Sequence, residues 1–402
     1  RMGFFADDFM QRATFLQPDG LDGMFGKPFA DFFTFADGDP VRAHQFADRG
    51  LYPWLSYPEA LFRFWRPATV ATHWVDYQLW PDSAVLMHVH NLMWFGAMVL
   101  AVAFFYRRMI GSGVVAGLAG LLYAIDDAHA WPAAWIANRN GLIAVALGIG
   151  VLTLHDRWRR ERQPLAVWLA VPLLGLALLA KESALSVCGY LFAYALFIDG
   201  GSARSRMLSL IPYGVVVVIW RIVYVSLGYG AADSGGYIDP AREPLQFAGA
   251  LVERVPVLMQ GLCWLPPSDY YRLGPISIQP YLWTVGVIGT LALVPLLWPL
   301  VRRDALARFW CLGMVLAILP VSSGGPQDRL LLFPGIGAMG LIAQWLVEYR
   351  SGALFREGTA RLRSFARPAF GALVFVHFVV APIGLPGGIL ALTWINDNTI
   401  MA

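Results

Sequence analysis

Charge is what this chain has least of. Only 14% of its 402 residues are Asp, Glu, Lys or Arg, 57% are hydrophobic, and the mean hydropathy is +0.55. A soluble domain carries about 25% charged residues. A chain this poor in charge cannot cover a globular surface with polar groups, so lipid must be its solvent over much of that surface. Lysine is nearly absent, with only Lys27 and Lys181. A net charge of +3 with no basic tail and no Lys/Arg run interleaved with aromatics gives no footing for nucleic acid. Cysteine is equally scarce. Cys188, Cys263 and Cys311 show neither metal-ligand spacing nor a paired framework, which leaves them as small apolar packing residues. No internal repeat or low-complexity linker divides the chain, and residues 1–402 read as a single membrane domain.

What the chain has instead is apolar runs. Crossing roughly 30 Å of hydrocarbon takes about 20 apolar residues in a helix. Ten runs qualify or nearly so: Ala84–Tyr106, Val114–Ile125, Leu142–Leu154, Leu165–Ala180, Ala184–Ile198, Met207–Leu227, Tyr281–Val301, Ala305–Val321, Leu330–Val347 and Ala369–Thr393. The expected fold is therefore an all-α polytopic membrane protein. The 16 Trp and 15 Tyr suit interfacial belts, where a ring body is apolar and its tip wet.

The connections between runs carry an alternating charge. Arg107, Arg108, Arg157, Arg159, Arg160, Arg162, Arg204, Arg206, Arg302, Arg303, Arg308, Arg350, Arg356, Arg361, Arg363 and Arg367 fall in one set of loops, and only Arg139, Lys181 and Arg329 in the short loops of the other. The positive-inside rule assigns the first set to the cytoplasm. Two long segments, 1–81 and 229–280, then lie outside. Pro58–Trp65, Ala68–Leu79 and residues 245–263 are expected as short helices lying at the interface.

With that orientation the unusual polar residues collect at one membrane face: Asp7 and Asp8, Asp126, Asp127 and His129, Arg139, Lys181 and Glu182, Asp269, and Asp328 with Arg329. Carboxylates grouped there can act as a general base or hold a metal, and cations can hold an anionic group. Each one alone can also be a cap or an interfacial ion pair. Arg221 lies about 9 Å below the outer end of its run at 1.5 Å per residue, and an intramembrane arginine is costly enough to suggest a role. His88 and His90, two residues apart on a helix, point to different sides and do not form a metal pair.

These residues, in this order, resemble the GT-C superfamily of membrane glycosyltransferases, and within it the branch of TMTC-type O-mannosyltransferases. Phe5-Ala6-Asp7-Asp8-Phe9 resembles the acidic pair of the first outer loop. Arg66-Pro67 resembles the Arg-Pro before the next span, and His88-Val89-His90-Asn91 the entry to that span. The stretch Tyr123–Asn140 resembles the second outer loop, and Ala180-Lys181-Glu182-Ser183 the Ser-Lys-Glu-Thr turn. Arg221 matches an Arg in the span before the large loop. Pro266-Pro267-Ser268-Asp269-Tyr270 and Gln327-Asp328-Arg329-Leu330 match two later motifs.

There are departures. Trp131 stands where the family has a Glu in the second outer loop, and Asp126-Asp127 where it often has His-Pro. The family's first span, which precedes the acidic pair, is expected upstream of Arg1.

The resemblance implies inverting transfer of a sugar from a polyprenyl-phosphate donor to a protein, lipid or glycan acceptor at the non-cytoplasmic face of a bacterial inner membrane. It implies Asp8 or Asp7 as base, and Arg221, Lys181 and Arg329 on the donor phosphate, with Asp126, Asp127, His129, Arg139, Glu182, Arg66 and Asp269 around them. Nothing requires a cofactor, although a divalent metal is compatible with the acids. Membrane lipids and partner subunits are the other expected partners. The altered second loop leaves two further readings. One is a catalytically degenerate scaffold subunit of a larger complex. The other is a lipid or small-molecule transporter, although no broken-helix pair recurs in two halves as in inverted-repeat carriers.

Overall fold

A computed structural model describes residues 3–17, 26–50, 57–111, 113–355 and 360–395. Arg356 lies outside the described residues, as do the side chains of Arg361 and Arg363. The protein is all-α apart from one small sheet. Every one of the ten apolar runs falls on a helix: Ala84–Ile110, Val114–Ala124, Arg139–Glu161, Pro164–Ala180, Ser186–Phe197, Ile211–Ser226, Gln279–Arg303, Ala305–Val321, Leu332–Arg350 and the interrupted helix Ala360–Ile395. They differ in reach. Among the described residues five segments are long and apolar enough to cross a bilayer: Ala84–Ile110, Ile136–Glu161, Ala203–Ser226, Ile276–Arg303 and Ser364–Ile395. Val114–Ala124, with 11 residues, rises only about 16 Å.

Leu332–Arg350 is the post around which the others pack. Each residue from Leu332 to Leu346 is buried. Small residues let its neighbours approach to backbone distance, as is usual where lipid supplies no hydrophobic drive between helices. A Cβ on Gly337 would stand 2.5 Å from the Trp310 carbonyl oxygen. Three tyrosines pin its first turn. Tyr123 Oη donates to the Leu332 carbonyl (3.0 Å), Tyr106 Oη to that of Ile336 (2.5 Å) and Tyr190 Oη to that of Phe333 (2.9 Å). Tyr190 Oη also accepts from Gly337 N at 2.8 Å. Asp328 and Arg329 sit in the 3-10 turn just before this post, so their backbone leads directly into its buried first turn.

The two ends of the bundle are chemically distinct. At one end arginines pair across helix ends. Arg108 meets Asp156 and Glu161 (2.6 Å each), Arg159 meets Asp199 (2.6 Å), and Arg303 meets Glu348. At the other end lie Asp8, Arg66, Arg139, Glu182 and Asp328.

The long polar-end segments correct one expectation. Ala68–Leu79 does form a helix, Pro67–Leu79, and 245–263 forms Pro244–Cys263. Pro58–Trp65 does not. It contains strand β2 (Leu61–Arg63), the centre of an antiparallel sheet between β1 (Thr34–Asp37) and β3 (Gly230–Ala232). The alternation of Phe62 and Phe64 with Arg63 is strand-like, and the partner strand arrives from far along the chain. This sheet joins the two long segments. Beneath it Phe32, Phe33, Phe64, Val70, Tyr77, Met87 and Ile136 form a separate aromatic core.

Candidate functional site

Between the sheet and the bundle lies a cavity of about 310 Å³. Arg66, Lys181, Glu182, Arg221 and Asp239 give it charge. Phe64, Leu185, Trp220, Tyr224, Tyr237, Pro320, Val321 and Leu330 give it apolar walls. Four of the residues singled out from sequence, Arg66, Lys181, Glu182 and Arg221, thus share one wall.

Each cation is held by its element. Arg66 precedes helix Pro67–Leu79. Its Nε and Nη2 donate to one oxygen of Glu182 at 3.0 and 2.8 Å, and its guanidinium lies over the rings of Phe64 (4.3 Å) and Phe33 (4.9 Å). The other oxygen, Oε1 of Glu182, is buried with no hydrogen-bond partner among the described residues. A buried carboxylate oxygen left so is an acceptor waiting for a donor. Lys181 caps helix Pro164–Ala180, and its Nζ reaches Asn138 Oδ1 at 3.4 Å. Burial pushes its pKa well below the usual lysine range, the guanidiniums of Arg66 and Arg329 push it the same way, and Glu182 opposes them. Arg221, in the helix Ile211–Ser226, spends one nitrogen only: Nη2 contacts both oxygens of Asp239, at 2.9 and 2.7 Å.

Arg329 is not on the cavity wall. It is stacked over Trp135 (5.1 Å) and its Nε donates to Gln327 Oε1 at 2.8 Å. It lies close enough, with Arg66, to act on Asp7.

The acidic pair divides. Asp8 is buried and both its oxygens are taken, Oδ1 by Ala137 N at 2.7 Å and Oδ2 by Phe5 N at 2.9 Å. It ties the first segment to the Trp135–Asn138 turn and does not line the cavity. Burial raises it to about 7 despite those two amides. Asp7 does not line the cavity either, and it has no hydrogen bond to its carboxylate among the described residues. Burial raises it to about 6, against the pull of Arg329 and then Arg66.

Four acids form a second group. Asp126 caps the turn Asp127–His129 by accepting from Ala128 N at 2.9 Å, and burial, with Asp127 beside it, raises it to about 8. Asp328 accepts from Ser268 N (2.8 Å) and Ser268 Oγ (2.6 Å), and its own amide donates to Asp269 (3.1 Å). Burial raises Asp127, Asp269 and Asp328 as well. His129 is pushed down to about 3 by burial, between Tyr123 and Phe95. Among the described residues no three His, Cys, Asp or Glu side chains converge as metal ligands.

Arg139 is closed off. Its Nη1 reaches Asp76 (2.6 Å), Nη2 the Met87 carbonyl (3.0 Å) and Nε Asn91 (3.4 Å), while His90 Nδ1 also meets Asp76 at 2.6 Å. Asn91 in turn donates to the carbonyls of Pro132 and Ala133. Sequence reasoning missed three residues here: Asp76, Asn138 and Asp239. Asp76 had a signal, an acid three residues after His73 on an otherwise apolar helix. Asp239 had none, because its partner lies on another element.

No family model matches the chain, and no curated protein matches it either. Among solved structures it is similar to the archaeal oligosaccharyltransferase AglB from Archaeoglobus fulgidus, determined in complex with an inhibitory peptide and a dolichol-phosphate. The TM-score is 0.47 at 13% identity, over 99% of this chain and 55% of that one. The chain therefore spans about half the length of that protein, and a likeness of this degree carries no residue roles across.

Proposed function

We infer that the protein transfers a sugar from a polyprenyl-phosphate donor to an acceptor hydroxyl or amide, with inversion, and that the charged cavity takes the donor's phosphate. The observation that carries the reading is the pairing of three cations, Arg66, Lys181 and Arg221, with apolar walls in one space of about 310 Å³. A phosphate needs the cations and a prenyl chain needs the walls. The arginine-rich end is assigned to the cytoplasm on the charge bias of its loops, which puts the cavity at the opposite headgroup level.

In the reaction the acceptor heteroatom attacks the anomeric carbon as the bond from that carbon to the phosphate oxygen breaks. The leaving phosphate keeps the electron pair and is stabilised by Arg66, Lys181 and Arg221. The acceptor's proton goes to Asp7, which is ionised above pH of about 6 and has no other hydrogen bond to give up. Asp8, with both oxygens spent on amides, positions Asp7 instead. Burial lowers the Lys181 pKa, and a phosphate beside it would raise it again, which favours the charged amine once the donor is bound. Glu182 Oε1 is available for a sugar hydroxyl.

The test is donor binding and turnover with a synthetic polyprenyl-phosphate sugar on purified protein. Asp7→Asn should keep donor binding and lose turnover. Wild-type protein that binds no polyprenyl phosphate would overturn the reading and leave the scaffold role in its place.

A further inference from the structure

At the arginine-rich end, a second cavity of about 370 Å³ is lined by Trp158, Arg159, Ser202, Arg204, Ser205, Leu208 and Ser209. It lies where the end of helix Arg139–Glu161 meets the short helix Ala203–Leu208, away from the cavity discussed above. Its cations outnumber its acids. Asp199 is spent on Arg159, whose Nε donates to it at 2.6 Å and whose Nη2 donates to Ser205 Oγ at 2.9 Å. Asp156 is spent on Arg108 and Arg160, and Glu161 on Arg108. Arg206 is folded back on the carbonyls of Gly201 and Leu196. Arg204 is exposed and has no hydrogen bond or ion pair to a described residue. One wall is therefore an arginine fixed by a carboxylate, and the other a free arginine.

The second observation is apolar. Met207, Leu208, Ile211, Val215, Val218, Ile219 and Ile222 are each 40–62% exposed. They recur every three to four residues, which is one face of a continuous helical stretch. That stripe starts at the cavity rim, at Leu208, and runs up the helix Ile211–Ser226 into the hydrocarbon. Trp158 closes the rim on the other side, a ring suited to the headgroup level.

We propose that this cavity binds the phosphodiester headgroup of an anionic phospholipid, with Arg204 and Arg159 on the phosphate and an acyl chain lying along the exposed face of Ile211–Ser226. Basic pockets between helices at the cytoplasmic level are the usual way such headgroups are held. The stripe is what selects a lipid over free phosphate, since only a lipid uses it. Because the same helix carries Arg221 at its other end, the bound lipid would also fix the tilt of the element that reaches the donor cavity. The lipid site itself stands whether or not the protein transfers sugar.

The experiment is lipid retention by the purified full chain in detergent at about 0.15 M salt, where exposed charges are screened beyond roughly 8 Å. Native mass spectrometry reads bound phosphatidylglycerol against phosphatidylcholine. Wild type should retain the anionic lipid, and Arg204→Glu should lower its retention by at least about tenfold, since each basic residue near the surface contributes roughly fivefold and the reversal both removes an attraction and adds a repulsion. Arg204→Lys should restore most of it. Arg302→Glu makes the same charge change at the same end of the bundle, away from the cavity, and should alter retention less than about twofold. Equal losses in the two Glu variants would reduce the effect to diffuse attraction and overturn the site. So would unchanged retention in Arg204→Glu, or complete displacement of the lipid by inorganic phosphate.

Discussion

Arg139 and Arg221 are both helix-borne cations at the polar end of the bundle, and their surroundings differ in how many nitrogens are spent. Arg139 uses every one, on Asp76, the Met87 carbonyl and Asn91, and it is fully buried. Arg221 uses one, on Asp239, and faces a cavity with the rest. A charge whose hydrogen bonds are all satisfied inside the protein holds elements together and offers a ligand nothing. One with open donors beside an apolar wall costs desolvation without full repayment, and that deficit is what a phosphate can recover. Lys181 and Glu182 belong with Arg221 in this respect, and Asp8 belongs with Arg139.

The comparison breaks most visibly at the acidic pair. Asp7→Asn should lower the transfer rate by about 10²–10⁴, the usual loss when a general base is removed. Asp8→Asn should act first on thermal stability, because it disturbs the two amides that fix the segment. If Asp8→Asn lost turnover at unchanged melting temperature while Asp7→Asn stayed active, the two roles would have to be exchanged.

Removing Arg139 should be the largest change in stability. Arg139→Ala leaves the buried Asp76 with only His90 as a side-chain partner, which costs up to about 3–5 kcal/mol. The measurement is thermal or denaturant unfolding in detergent. A loss under about 1 kcal/mol would mean that water replaces the guanidinium, and that the network is less closed than its distances imply. Arg221→Ala also frees a buried acid, but Asp239 keeps the Ala241 amide, so melting should fall less than for Arg139→Ala, while donor affinity falls roughly ten- to a hundredfold, the worth of one charge-assisted contact of about 1.5–3 kcal/mol.

How much of this was legible in the chain depends on range. The ten apolar runs landed on helices because a helix in lipid needs only length and apolarity, both local properties. The turn Lys181–Glu182 was found for the same reason, since it stands at the edge of a run, whereas the Arg66–Pro67 pair came from the family resemblance. Phe62–Phe64 was misread because one alternation over three residues is too short to outweigh a helical reading, and its partner β3 lies in the other long segment. Asp76 and Asp239 were missed as partners because each meets its arginine only in the fold. Nothing local distinguishes Asp7 from Asp8 either. Which of two adjacent carboxyls receives an amide is decided by the Ala137 turn.

Two smaller effects depend on pH. Burial lowers the Lys181 pKa and a bound phosphate raises it, so donor binding should favour proton uptake and weaken as pH rises. Isothermal titration in buffers of different ionisation enthalpy would reveal the uptake. Asp126 works on stability. Its pKa is raised from 3.8 to about 8, so the fold favours the neutral acid. Its contribution is fully present below pH of about 4 and is lost as pH rises toward about 8. Asp126→Asn keeps an oxygen to cap Ala128 and removes the titration. The melting temperature of that variant should rise relative to wild type between pH 5 and 8, and a constant difference would show that the carboxyl is wetter than its burial indicates.

The charged cavity draws its walls from Phe64 in the first long segment, Glu182 and Arg221 in the middle of the chain, and Leu330 well after them. No nascent fragment contains all of these. During synthesis Arg66 and Lys181 leave the ribosome before the Pro320–Leu330 wall, so on the proposed reading they would meet lipid phosphates before their eventual ligand. Release of that borrowed headgroup, when the last helices arrive, is a step the maturing protein has to complete. Insertion intermediates stalled before residue 320 should therefore crosslink to phospholipid through Lys181, and chains released after residue 350 should not.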